Sequence, residues 1–159
     1  MITFDSLTLK AFTEEASDFL TGARIQKIQQ PTRRDFVFTI RKNGESKKLY
    51  ININPQFHHI CFMSKENEEK RLIEIPQKPP MFCMLLRKYL ENSVIAKVNQ
   101  PKYERILEFY IETYNELSEK IYLCLAIELM GKHSNIILYN YDTNVIVGCS
   151  KCLKSTPTS

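Results

Sequence analysis

Two stretches of this chain, TGARIQKIQQP at residues 21–31 and ENSVIAKVNQP at residues 91–101, are nearly the same sequence seventy residues apart. The matches are Ile25 with Ile95, Lys27 with Lys97 and Gln30-Pro31 with Gln100-Pro101, and Leu20 and Leu90 precede the two stretches. Self-similarity at a fixed separation indicates a repeated structural unit. The sequence therefore predicts two copies of one supersecondary unit.

An amphipathic helix is predicted before each repeated stretch. In the first copy, apolar residues recur at spacings of three and four between Leu9 and Leu20, with Asp5 or Ser6 as the N-cap and Gly22 as the stop. In the second copy, the helix begins after Pro79-Pro80, because proline suits the first turn of a helix.

Short runs rich in β-branched and aromatic residues follow each helix and predict strands. They cover residues 23–30, 35–41, 48–54 and 58–64, and then 94–99, 105–113, 120–130, 135–141 and 145–149. Asn43-Gly44 between two such runs predicts a hairpin. One helix over four strands leaves a sheet face uncovered. We therefore predict an α+β fold in which two helix-plus-four-strand units pack as a β-sandwich with two helices.

Composition indicates one soluble cytoplasmic domain. The chain has 159 residues, 43% of them apolar, and carries a net charge of +4, which permits a nucleic-acid partner without requiring one. No apolar run reaches the roughly 18–20 residues that cross a bilayer, and residues 1–10 lack a signal pattern. Five cysteines beside apolar runs indicate reduced thiols.

Catalytic and metal-binding patterns are weak. The histidines His58, His59 and His133 have no metal-ligand spacing, and the Cys-x-x-Cys at 149–152 has no second pair. Four glycines form no phosphate loop. We therefore predict no catalytic residue, metal or cofactor.

Two polar turns could contact RNA. Lys132, His133, Ser134 and Asn135 follow Gly131 between two apolar strands, where they form either an ordinary turn or a set of phosphate donors. Residues 102–105 follow the second Gln-Pro, and residues 32–35 are their counterpart in the first copy. Arginine in such a turn is either a solvated hairpin end or a bidentate phosphate contact. Arg33, Arg34, Lys102 and Arg105 would form one positive edge if the two copies pack pseudo-symmetrically.

The longer motifs carry a family resemblance. FDSLTLKAFTEEASDFLTGARIQKIQQP, PPMFCMLLRKYLENSVIAKVNQP, RILEF and ELMGKHSNIIL together resemble the N-terminal domain of the NFACT family, also called fibronectin-binding protein A-like. The resemblance runs over residues 4–149, and residues 150–159 read as a polar tail.

The resemblance implies a function and a fold. Family members bind large ribosomal subunits that carry a stalled peptidyl-tRNA, and they recruit tRNA for untemplated tailing of the nascent chain, with alanine in bacteria. The fold is expected to be similar to the N-terminal domain of formamidopyrimidine-DNA glycosylases. Those enzymes use an N-terminal proline as the nucleophile, and this chain begins Met1-Ile2, so no enzymatic activity is expected.

The resemblance also implies a site and an alternative. The family's tRNA-binding Asp-Arg pair corresponds to Glu104-Arg105, in which the carboxylate is one methylene longer, and Lys102, Arg33 and Arg34 are its expected basic neighbours. The chain lacks the family's downstream domains, so we expect the domain to be incomplete at its C-terminal end. The family's older name suggests a fibronectin-binding module as the alternative. The absence of an export signal argues against fibronectin as a partner.

Overall fold

The computed structural model describes residues 5–63, 78–101 and 104–151. Within these ranges it contains two α-helices, nine β-strands and one short 3₁₀ helix. In chain order they are α1 (Ser6–Leu20), β1 (Arg24–Gln29), β2 (Asp35–Lys42), β3 (Glu45–Asn52), β4 (His59–Phe62), α2 (Met81–Leu90), β5 (Val94–Asn99), β6 (Ile106–Tyr114), β7 (Lys120–Glu128), the 3₁₀ helix (Gly131–His133), β8 (Asn135–Asn140) and β9 (Val145–Cys149).

Helix α1 begins and ends at the predicted signals, and α2 begins at the predicted one, after Pro79-Pro80. Asp5 caps α1, where its carboxylate accepts a hydrogen bond from the Thr8 backbone N–H at 2.9 Å. That bond lowers the pKa of Asp5 below its usual value. The chain leaves α1 through Gly22 at φ +85° and leaves α2 through Asn92 at φ +70°. Glycine and asparagine are the residues that most readily adopt this left-handed conformation.

All nine strands belong to one antiparallel sheet. Their order is β4-β3-β2-β1-β5-β6-β7-β8-β9, so each unit is a meander and the two units join where β1 meets β5. Asn43 and Gly44 connect β2 to β3 with φ values of +51° and +80°, which confirms the predicted hairpin.

The junction between the units has local two-fold symmetry. Arg24 faces Val94 at its centre. The flanking hydrogen bonds come in matched pairs: Gly22 N to Ile95 O and Asn92 N to Ile25 O, both 2.7 Å, and Ile25 N to Ser93 O and Ile95 N to Ala23 O, both 2.9 Å. The repeated stretches therefore bind each other around a pseudo-two-fold axis.

The repeated residues also specify the same β-bulge twice. The pairing of β1 with β2 shifts between Ile25 and Lys27, and the pairing of β5 with β6 shifts between Ile95 and Lys97. Each shift leaves one residue, Gln26 or Ala96, without a partner across the ladder. A bulge bends its strand and increases the local twist, so both units bend at the same distance from the axis.

The bent sheet places the inner faces of both units around a single core. Phe38 and Ile51 of the first unit belong to the same buried cluster as Phe109 and Leu125 of the second. Each helix packs against the first strand of the other unit, α1 on β5 and α2 on β1, as well as against its own unit. The loops of the two units also meet, because Gly131 lies beside the carbonyl oxygen of Pro55.

The predicted α+β fold with two duplicated units is confirmed. The packing of the two units takes the form of one continuous folded sheet joined at β1 and β5. Strand β3 begins at Glu45, earlier than predicted, because the hairpin pairing extends to Lys42 and Glu45. No helix in the described part of the chain is both long and apolar enough to cross a membrane.

The cysteines differ in state. Cys83 and Cys124 are free thiols, and burial raises the pKa of Cys83 and raises that of Cys124 to about 11. Cys149 is disulfide-bonded, which corrects the expectation that all thiols are reduced. No group of three or more His, Cys, Asp and Glu side chains suited to a metal ion occurs in residues 5–63, 78–101 and 104–151.

Candidate nucleic-acid interface

The loop that carries Glu104 and Arg105 is held at both ends. The Arg105 carbonyl oxygen accepts a hydrogen bond from Leu129 N at 2.9 Å, which ties the loop to the end of β7. Gln100 Nε2 donates to the Glu104 carbonyl oxygen at 2.9 Å and to the Ser6 carbonyl oxygen at 3.2 Å. The backbone on which Arg105 sits is therefore fixed relative to both the sheet and the first turn of α1.

A cleft of ≈ 320 Å³ opens beside this loop. Its lining residues are Asp5, Ser6, Glu104, Arg105, Ile106 and Met130. Arg105 is half-buried, and within the described residues its guanidinium group has no hydrogen bond or ion pair. Glu104 is exposed and forms no ion pair with Arg105 in the described part of the chain. A guanidinium group carries five N–H donors in a fixed plane, so those of Arg105 are available to a ligand in the cleft.

Acidic groups also border the cleft. Burial raises the pKa of the Glu128 carboxyl group, and the nearby charge of Glu104 raises it further. Three carboxylates therefore lie in or near the cleft, with Asp5 and Glu104 in its lining and Glu128 close to Glu104, and Arg105 is the cation among the described lining residues.

The corresponding loop of the first unit presents Arg33 and Arg34, both exposed. The Arg34 carbonyl oxygen accepts from Ile53 N at 2.7 Å, just as that of Arg105 accepts from Leu129 N. The second loop is one residue longer, so Arg105 corresponds to Arg34 and not to Asp35, which corrects the predicted alignment.

Side chains inside the first loop fix its shape. The Thr32 hydroxyl donates to the Asp35 carboxylate and accepts from Arg34 N at 3.2 Å. The Tyr50 hydroxyl donates to the other carboxylate oxygen of Asp35 at 3.1 Å. These bonds orient the backbone and leave the side chain of Arg34 pointing to solvent.

The turn after β7 divides into structural and exposed residues. Ser134 is fully buried and its hydroxyl oxygen accepts from Met130 N at 3.0 Å. The Asn135 side chain accepts from Lys151 N at 2.9 Å and donates to Lys151 O at 3.1 Å. Ser134 and Asn135 therefore support the reading of an ordinary turn, whereas Lys132 and His133 are exposed.

Lys151 joins the basic residues, although the sequence placed it in a polar tail. Burial lowers the pKa of Lys151, and the positive charge of Arg34 lowers it further, so the two cations are neighbours. The sequence carried no signal for this, because the contact depends on the Asn135 side chain holding the chain after β9. The sequence analysis identified Gln100 only as part of the repeated stretch and not as a residue of this site. Lys102 lies outside the described residues.

Comparisons with known proteins identify the family. The model of the NFACT N-terminal and middle domains matches residues 5–158. The chain is 38% identical to the Rqc2 homolog RqcH of Bacillus subtilis over 99% of its own length and 27% of that protein. It is 27% identical to the ribosome quality control complex subunit NEMF homolog of Drosophila melanogaster over 80% of its length and 12% of that protein.

Solved structures agree with this assignment. The N-terminal domain of the fibronectin-binding protein PavA from Streptococcus pneumoniae superimposes with a TM-score of 0.87 at 34% identity, over 99% of this chain and 57% of that one. The N-terminal part of the fibronectin/fibrinogen-binding protein from Streptococcus suis gives the same values. The chain spans about a quarter of the length of its bacterial curated relatives. With the repeat, the fold and the family model in agreement, this chain belongs to the NFACT N-terminal domain family.

Proposed function

We propose that this chain is the tRNA-binding N-terminal module of a cytoplasmic ribosome quality control factor, with a binding role and no catalysis. Support for the role comes from relatives that are named RqcH and NEMF homologs. In the proposal, the complete protein binds stalled large ribosomal subunits and supports alanine tailing of the nascent chain. The residues described here contribute the tRNA contact.

One observation carries the tRNA proposal. Arg105 combines an anchored backbone with a guanidinium group that lacks a partner within the described residues. A guanidinium group on an anchored backbone can bind a phosphate or a base edge in a bidentate manner without first breaking an internal ion pair. Arg34 and its neighbour Lys151 add positive charge on the equivalent loop of the first unit. Lys102, Arg33, Lys132 and His133 belong to the proposal as further phosphate contacts.

The test is tRNA affinity measured at several salt concentrations. We expect Arg105→Ala to weaken binding by about tenfold or more, because a hydrogen bond to a charged group contributes about 1.5–3 kcal/mol. If the contact is to a phosphate, the salt dependence of binding should decrease by about one unit of slope. Arg105→Lys should recover only part of the loss, since lysine lacks the bidentate geometry.

A matched control is Arg41→Ala, which removes an exposed arginine of β2 near the hairpin end of that strand. It should leave tRNA affinity nearly unchanged. Equal losses of tRNA affinity in Arg41→Ala and Arg105→Ala would mean that binding depends on overall positive charge and not on a specific contact of Arg105. Unchanged tRNA affinity in Arg105→Ala, with the melting temperature preserved, would contradict the proposal.

A further inference from the structure

The two units differ at the strand edges that face the helices. Beyond the contact between Arg24 and Val94, β1 and β5 no longer pair with each other. Helix α2 packs against β1, and helix α1 packs against β5. The pseudo-two-fold symmetry therefore makes the free edge of β1, which faces α2, equivalent to the free edge of β5, which faces α1.

The edge of β1 is filled by side chains of α2. Ile28 N donates a hydrogen bond to the Glu91 carboxylate at 3.1 Å, and Arg87 Nε donates to Ile28 O at 2.7 Å. Glu91 and Arg87 thus supply the acceptor and the donor that a neighbouring strand would supply. Ile28, Gln29 and Gln30 are accordingly buried, with at most 6% of each residue exposed.

The edge of β5 has the same backbone geometry without these partners. Val98 faces Phe109 as Ile28 faces Phe38, after the same bulge, so the N–H and C=O groups of Val98 are also directed away from the neighbouring strand. At the positions equivalent to Arg87 and Glu91, α1 carries Ser17 and Thr21.

In the part of the chain that the structure describes, these short side chains leave the β5 edge without the partners that α2 supplies to β1. Neither Ser17 nor Thr21 makes a side-chain hydrogen bond to Val98 within the described residues. Val98, Asn99 and Gln100 are only half-buried, in contrast to their buried counterparts in β1. An edge with unpaired N–H and C=O groups is a template for an added strand.

A groove of ≈ 410 Å³ lies between this edge and α1. Its main lining residues are Leu7, Lys10, Thr13, Val98, Gln100 and Pro101. Leu7 is 74% exposed, an unusual exposure for a leucine beside a groove. Lys10 lies 4.0 Å from Glu14, so its charge is balanced within the groove. The volume is within the range of about 300–1,000 Å³ that is typical of ligand pockets.

We propose that this groove binds an extended peptide segment of a partner protein by adding it to the edge of β5. A peptide residue carries one donor and one acceptor, which is the pair that Arg87 and Glu91 supply at the equivalent edge. The segment accepts from Val98 N–H, donates to Val98 C=O and places an apolar side chain between Leu7 and Val98. Because Glu14 neutralises the charge of Lys10, the groove has no excess positive charge that would attract a nucleic-acid backbone.

The experiment is residue-resolved amide hydrogen exchange on the 159-residue chain. The probes are three capped peptides, acetyl-Thr-Xaa-Thr-Xaa-Thr-amide with valine, leucine or phenylalanine at Xaa. In the dilute free chain, the amide of Val98 should exchange at least about tenfold faster than that of Ile28, because within the described residues Ile28 N–H donates to the half-buried Glu91 carboxylate and Val98 N–H has no such side-chain acceptor. Millimolar peptide should slow the exchange of Val98 by about tenfold and leave Ile28 unchanged.

The matched variants transfer the α2 residues to α1. Ser17→Arg with Thr21→Glu should close the edge and abolish peptide protection of Val98, whereas Ser17→Ala with Thr21→Ala should preserve it. Leu7→Ser should weaken peptide protection without altering the backbone of the groove. Melting curves establish that each variant is folded.

Three outcomes would overturn the proposal. The first is a Val98 amide as slow as that of Ile28 in the dilute free chain. The second is the absence of protection by all three peptides. The third is protection that rises with protein concentration alone, which would make a second copy of the chain the occupant. Arg105→Ala should leave peptide protection intact, so this proposal and the tRNA proposal fail separately.

Discussion

At the scale of single residues, Glu128 at the end of β7 makes the stability of the protein sensitive to pH. Burial and the nearby Glu104 raise the pKa of Glu128, so the folded state holds this proton more tightly than the unfolded state. The resulting contribution to stability is fully present below the ordinary carboxyl pKa of 4.5 and is lost as the pH rises through the folded-state value. Glu128→Gln, which is always neutral, should therefore raise the melting temperature at neutral pH by about 1–2 °C.

The measurement is thermal unfolding of wild type and variant in parallel from pH 3.5 to 7.5. The difference should shrink to nothing at the acidic end, where Glu128 is protonated in both states. Glu45→Gln, which changes an exposed glutamate in the β2–β3 hairpin, is the control for the loss of one acidic side chain far from Glu104. A constant difference for Glu128→Gln at every pH would mean that the variant acts through packing and not through ionisation.

At the scale of elements, Gly148 determines how α2 lies on β9. A Cβ atom at Gly148 would come within 2.5 Å of Leu85 Cδ2 and 3.7 Å of the Phe82 ring. The 2.5 Å contact is with a terminal methyl group of Leu85, so Gly148→Ala should force that side chain into another conformation and destabilise the protein by about 1 kcal/mol. Denaturant unfolding of the single variants and of Gly148→Ala combined with Leu85→Ala measures the coupling. Removing Leu85 should relieve most of the effect of Gly148→Ala, and simple additivity would contradict the contact.

At the scale of the whole molecule, the shared core should make the two units unfold together. Ile51 and Phe109 lie in different units but in one buried cluster. Ile51→Ala and Phe109→Ala should each cost about 2–5 kcal/mol, and each should lower the stability of both units equally. Heteronuclear NMR during thermal unfolding follows each unit separately. Earlier loss of one unit's signals in either variant would show that the units are independent domains.

Structural features that depend on adjacent residues were predictable from the sequence. The helix boundaries at Asp5 and Gly22 and the hairpin at Asn43-Gly44 were predictable, because capping and left-handed backbone conformations depend on a few adjacent residues. The nine strand segments were also predictable from local patterns, but the second unit has five strands where four were predicted, and the pairing of β1 with β5 was not predicted. The similarity to glycosylase domains and the domain boundaries at residues 4 and 149 stay predictions.

The candidate site was predictable only in part. Arg105 was singled out from the sequence and stays a prediction as a tRNA contact, whereas its anchoring by Gln100 and Leu129 and the approach of Lys151 to Arg34 were not predicted. Each of these contacts joins residues that are far apart in the chain, or bends the chain after a strand. Hydrogen bonds and charges between distant segments leave no periodic pattern in a sequence.

The amino-acid sequence by itself determined that this protein has two related units and which residues begin, bend and end their elements, because those choices are made by neighbours along the chain. The tertiary structure alone decided that the two repeated stretches pair around a pseudo-two-fold axis and that only one of the two equivalent strand edges is filled. The reason is that the two copies share their backbone geometry, while the side chains facing each edge come from the helix of the other copy.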